Sequence, residues 1–245
     1  WNLPALIELF DFNGDGKFTK ADADYIAKYN VGLLGDLSRE QLEKMDVNGD
    51  GEVNQKDTLH LLHVLDFPTK ATEEKAVFIS RCSADFSAIL ISTLDAEEAA
   101  QIIASLSCRL VVGIILSGNI QAEAVAAIFE QLPSNIIAVW LGGAVDHGSV
   151  QIIPWPVGPD RYNRDEESQR RLRETQRIAL IFTAMDSQKV AEILGHYSVS
   201  ILCAAKILSS MDRNSAFRVL SILRHMNYIK ANQIYQVMMY LRYGR

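Results

Sequence analysis

From about residue 74 onward, polar and apolar positions alternate in short phrases with helical spacing. "AEEAAQIIASL" puts Ala99, Ile102, Ile103 and Leu106 on one stripe. The same rhythm returns in "VAAIFEQL" (125–132), "VAEILGHY" (190–197) and "AAKILSSM" (204–211). Asp95, Asp186 and Asp212 stand at the heads of such phrases as N-caps, because a short carboxylate accepts the free N–H groups of a first helical turn. Two runs, "LVVGIIL" (110–116) and "IIAVWLGG" (136–143), read equally as buried strands, which would make this region α/β.

Self-comparison favours helices. Residues 89–117 align with 180–209 at an offset of 91, with one extra residue in the second copy, pairing Asp95 with Asp186, Ala100 with Ala191, Ile102 with Ile193 and Ser107 with Ser198. The second copy places "ILCAAKILSSM" where the first has "LVVGIIL", and that phrase is a poor strand and a good helix. The expectation is therefore an all-α, duplicated, right-handed armadillo-like array over 72–245. Its copies span about 76–145 and 166–240, with the Pro- and Gly-rich stretch 146–165 as connection.

The first 68 residues have a different pattern. Four amphipathic helical phrases, "PALIELF", "DADYIAKYN", "LSREQLEKM" and "KDTLHLLHVLDF", bracket two polar stretches, "DFNGDGKFTKAD" (11–22) and "DVNGDGEVNQKD" (46–57). Ser38 with Gln41 three residues on forms a capping box ahead of the second stretch, and Pro68 closes the last helix. Calcium loops offer oxygen at positions 1, 3, 5, 7, 9 and 12, with glycine at 6 for the sharp turn. The first stretch supplies Asp11, Asn13, Asp15, the Lys17 carbonyl, Thr19 and Asp22, with Gly16 at the turn. The second supplies Asp46, Asn48, Asp50, the Glu52 carbonyl, Asn54 and Asp57, with Gly51 at the turn. Thr19 and Asn54 would bind directly or through a water. Phe18 and Val53, at position 8, are expected to bridge the two loops. Crowded carboxylates repel, so two Ca2+ ions are expected to hold this unit rigid, and its removal to destabilise it. Asp in place of Glu at position 12 shortens that ligand, so Mg2+ is an expected competitor.

This D-x-N-x-D-G-x-x-x-x-x-D pattern, followed by Leu at helical spacing, resembles the dockerin family of the EF-hand superfamily over residues 3–67. The resemblance implies calcium binding and leans towards an extracellular or cell-surface setting rather than a cytoplasmic one. Dockerins of cellulosomes read cohesin partners largely through positions 10 and 11, often a Ser/Thr pair. Here those positions are Lys20–Ala21 and Gln55–Lys56, so the resemblance carries calcium over and not cohesin. The later helical phrases resemble the N-terminal domain of the magnesium transporter E and the flagellar motor switch protein G, which implies a packing and assembly surface.

Composition narrows the classes further. Of 245 residues, 49% are hydrophobic and 22% charged, as in a soluble globular chain. Thirteen Asp and Glu against six Lys and Arg fall within 1–67, a net of −7, and the remainder carries +1, so the acid of the chain, −6 in all, is concentrated with the acidic loops. There is no basic stripe for nucleic acid and no apolar run near the ~20 residues of a membrane helix. The chain opens on Trp1 without a signal-peptide pattern, which suggests a processed chain.

No catalytic motif appears. Asp146, His147 and Ser149 share a glycine-rich linker without triad geometry, and His60 and His63 read as packing residues rather than metal ligands. Cys82, Cys108 and Cys203 sit among apolar neighbours as buried thiols. "RDEESQRRLRETQR" reads as a solvated helix face and "IYQVMMYLRY" as core. The sequence reading is a non-enzymatic calcium-binding structural or interaction protein. Residues 1–68 are the metal-held unit, and the helical repeats bind a protein partner or assemble. The competing reading is a divalent-cation-sensing regulatory module of a larger transporter or motor complex.

Overall fold

The computed structural model describes residues 3–48, 50–142 and 164–243. Most of the expected connection at 146–165 lies outside these residues, as do Asp146, His147 and Ser149. Among the described residues every regular element is helical. Four helices make the N-terminal unit: α1 (Leu3–Phe10), α2 (Lys20–Asn30), α3 (Arg39–Met45) and α4 (Gln55–Asp66). The two acidic loops join α1 to α2 and α3 to α4, and α2 packs along α4. Leu6, Ile26, Met45 and Leu61 close its interior.

A short 3-10 turn, Phe67–Thr69, leads into eleven further helices. These are α5 (Thr72–Ile79), α6 (Ala84–Ser92), α7 (Ala96–Ser105), α8 (Cys108–Leu116), α9 (Ala122–Gln131), α10 (Ser134–Gly142), α11 (Arg164–Ala184), α12 (Ser187–Gly195), α13 (Ile201–Ser210), α14 (Arg213–Met226) and α15 (Tyr228–Tyr243). "LVVGIIL" and "IIAVWLGG" thus fall on α8 and α10, and the α/β alternative does not hold. The Ser107 hydroxyl caps α8 by accepting the Leu110 N–H. Gly113 lets α8 approach α6 so closely that an added Cβ would lie 2.6 Å from the Ala84 Cβ.

Packing runs between next-but-one helices. In one row α5, α7, α9, α11, α13 and α15 touch in succession; α6 meets α8, and α10 meets α12, which meets α14. The pairings α6 with α8 and α7 with α9 recur as α11 with α13 and α12 with α14. Asp95 and Asp186 both cap, on α7 and α12, and Asp212 caps α14. The alignment differs at one point: the cap equivalent to Ser107 is Ser200, whose hydroxyl accepts the Cys203 N–H. Ser198, which the 91-residue offset pairs with Ser107, lies in the turn two residues before that cap.

The two parts of the chain meet through aromatic side chains. Phe10 of α1 lies 5.8 Å from Phe86 of α6, and His60 of α4 sits between Phe78 and Phe86 at 5.1 and 5.4 Å. Phe67 is fully buried, with the Lys75 ammonium 5.7 Å from its ring centre. That ammonium also pairs with Glu98 at 2.7 Å, a nearly buried ion pair anchoring α5 to α7. One continuous apolar core therefore runs through both parts.

Candidate metal centre

The acidic loops fold on their own carboxylates, and they do so in the same way twice. In the first, the two oxygens of Asp11 accept the N–H groups of Asp15 (3.0 Å) and Gly16 (2.8 Å). In the second, Asp46 accepts from Asp50 (3.0 Å) and Gly51 (2.8 Å). Asn13 and Asn48 accept from Asp15 and Asp50 at 2.8 and 2.9 Å. Asp15 and Asp50 in turn accept from Lys17 and Glu52 at 2.9 and 3.1 Å. Gly16 and Gly51 have φ of 76° and 89°, the left-handed region a side chain would strain.

Thr19 and Asn54 cap α2 and α4, and Asp22 and Asp57 complete reciprocal capping boxes. Asp22 accepts the Thr19 N–H at 2.8 Å with one oxygen and the Phe12 N–H at 3.0 Å with the other. Asp57 accepts from Asn54 (2.8 Å) and Asn48 (3.1 Å). Both carboxylates are fully buried. The sequence reading gave these four residues to the metal alone. Their second role was visible in "TKAD" and "NQKD", which have capping-box spacing.

Among the described residues no three His, Cys, Asp or Glu side chains converge as a ready-made ion cage. The reason is in the hydrogen bonds: each carboxylate is turned to loop N–H groups, and half of the oxygen donors are amide, hydroxyl or carbonyl. The donor set itself consists only of hard oxygens and suits Ca2+. Asp11, Asn13, Asp15, the Lys17 carbonyl, Thr19 and Asp22 would hold one ion; Asp46, Asn48, Asp50, the Glu52 carbonyl, Asn54 and Asp57 would hold the other. No β-bridge joins Phe18 to Val53 among the described residues. Phe18 instead drives its ring into the core, 5.3 Å from Phe10.

Charge is where the loops differ. The Lys56 ammonium lies 3.0 Å from Asp50. Its hydrogen bond holds the Asp50 carboxyl below the usual range, and the same contact raises Lys56. In the first loop the equivalent of Lys56 is Ala21.

The other candidates settle into packing roles. His60 and His63 both pack at a tilt against Phe78, and burial lowers the His60 pKa. Burial pushes Cys82 up to about 12 and Cys203 to about 11, so neither thiol is activated. A cleft of about 850 Å³ runs between the second loop, α4, α5 and α6, with Asn48, His60, Phe78 and Arg81 on its walls. No described helix is long and apolar enough to cross a membrane.

Residues 9–65 match the family model of the dockerin type I domain. This segment is a dockerin-type, EF-hand-like fold followed by a helical region. Dockerin domains bind Ca2+, act as non-catalytic protein-interaction modules, and are typically extracellular or on the cell surface. No curated protein and no solved structure matches the chain.

Proposed function

We propose that residues 1–68 bind two Ca2+ ions, through the twelve residues named above, and that the ions lock this unit against the helical array. Residues 72–245 then act as a duplicated, armadillo-like array that presents the surface for a protein partner or for self-assembly, outside the cell or at its surface. The observation that carries the reading is the repetition of one hydrogen-bond scheme at matching positions of two loops. Two unrelated Asx-rich turns have no reason to share it. The helical array is the better recognition surface because Lys20, Ala21, Gln55 and Lys56 do not reproduce the Ser/Thr pairs read by cohesins.

Thermal unfolding followed by circular dichroism tests the calcium part. Added Ca2+ is expected to raise the midpoint, EDTA to lower it, and Mg2+ to substitute only in part. A midpoint indifferent to chelator contradicts the reading.

A second reading has its own support: the contacts of His60 and Phe10 with Phe86 link the loops to the helical array, as a cation-sensing module of a larger transporter or motor complex would require. Affinity separates the two. A structural extracellular site works with dissociation constants of about 10⁻⁴–10⁻³ M, whereas a sensor needs about 10⁻⁷–10⁻⁵ M.

A further inference from the structure

Backbone hydrogen bonding is so alike in the two loops that a difference between them stands out. At position 5, Asp15 and Asp50 each give one oxygen to the N–H two residues on. The other oxygen of Asp50 takes the Lys56 ammonium at 3.0 Å. Asp15 has no basic side chain paired with it among the described residues, and position 11 of its loop is Ala21. Lys56 is itself exposed, so no packing holds it at Asp50; the carboxylate does.

We propose that Lys56 is a built-in competitor for the cation of the second loop, so that the two loops fill in order, the first loop before the second. The proposal rests on the calcium reading above. An ion entering the second loop must displace the ammonium from Asp50 or bind with that positive charge a few ångströms away, and either lowers its affinity. The same contact has an opposite effect without metal. Lys56 neutralises part of the repulsion among Asp46, Asp50 and Asp57, so the second loop keeps its shape more readily when empty. The first loop, lacking such a counterion, depends more on its ion. The pair is solvent-exposed, so the difference between the loops should shrink as salt screens it.

Calorimetric Ca2+ titration of the full chain at low ionic strength tests this. The wild type should show a tighter and a weaker site, with Asp11→Ala abolishing the tighter and Asp46→Ala the weaker. Lys56→Gln should tighten the weaker site about two- to fivefold and leave the other unchanged. Ala21→Lys, placed on an exposed helix position, should weaken the first loop by a similar factor. Raising the salt should narrow the gap in the wild type more than in Lys56→Gln. Two sites that both ignore Lys56→Gln and Ala21→Lys would overturn the ordering and leave the calcium reading intact. A wild type that binds no Ca2+ would overturn both.

Discussion

His60 shows how a single side chain ties the loops to the rest of the molecule. It packs at a tilt between Phe78 and Phe86, and burial holds its pKa below the ordinary 6.5, with Asp57 opposing that shift and His63 reinforcing it. Above pH 6.5 the ring is neutral in both the folded and the unfolded chain and contributes no pH dependence. As pH falls through 6.5 the unfolded chain takes up a proton that the folded chain refuses, so stability declines until the folded pKa is reached. Urea unfolding between pH 7.5 and 5 should show this loss, and His60→Phe should flatten it. Lys230 of α15 ties together helices within the array. Its ammonium donates to the carbonyls of Gly195, His196 and Val199 at the end of α12 and in the turn after it. Lys230→Met should cost about 1–3 kcal/mol in chemical denaturation, with a lower midpoint and an unchanged slope.

Among the helices, contact distance rather than propensity decides. Alanine at position 113 would favour helix by about 1 kcal/mol over glycine. Its Cβ would meet the Ala84 Cβ at 2.6 Å, and neither atom can rotate away. The overpacking cost of about 1–3 kcal/mol should win, so Gly113→Ala is expected to lower the thermal midpoint, and Gly113→Ala with Ala84→Gly to recover most of it. Helices were the most legible part of the sequence, because Asp95, Asp186, Asp212 and Ser38 announce them with caps and the stripe of Ile102 and Ile103 gives the period. Both acidic loops were legible for a similar reason: their chemistry is local. What stayed hidden was double use and distance. Asp22 and Asp57 looked like ligands and proved also to be helix caps. Ser198 looked equivalent to Ser107 because alignment counts letters, whereas the cap is set by where the turn before α13 ends, at Ser200. The approach of Gly113 to Ala84 leaves no mark in either local pattern.

Over the whole molecule, one core continues from the loop unit into the helical array, and no sequence signal foretold the aromatic joint of Phe10, His60, Phe78 and Phe86, since its members come from four separate helices. Coupling follows from that continuity. If Ca2+ orders the loops, its effect should pass into α5 and α6, so that chelator lowers the unfolding midpoint of the entire helical signal in one transition. Phe86→Ala should split that transition, leaving a chelator-sensitive step for the loop unit and a chelator-insensitive one for the array. The most direct measurement of the central claim is the calcium stoichiometry of the full chain by isothermal titration calorimetry. The account predicts two ions for the wild type and none for the Asp11→Ala, Asp46→Ala double variant. A wild type that binds no calcium, or a double variant that binds as the wild type does, would contradict it.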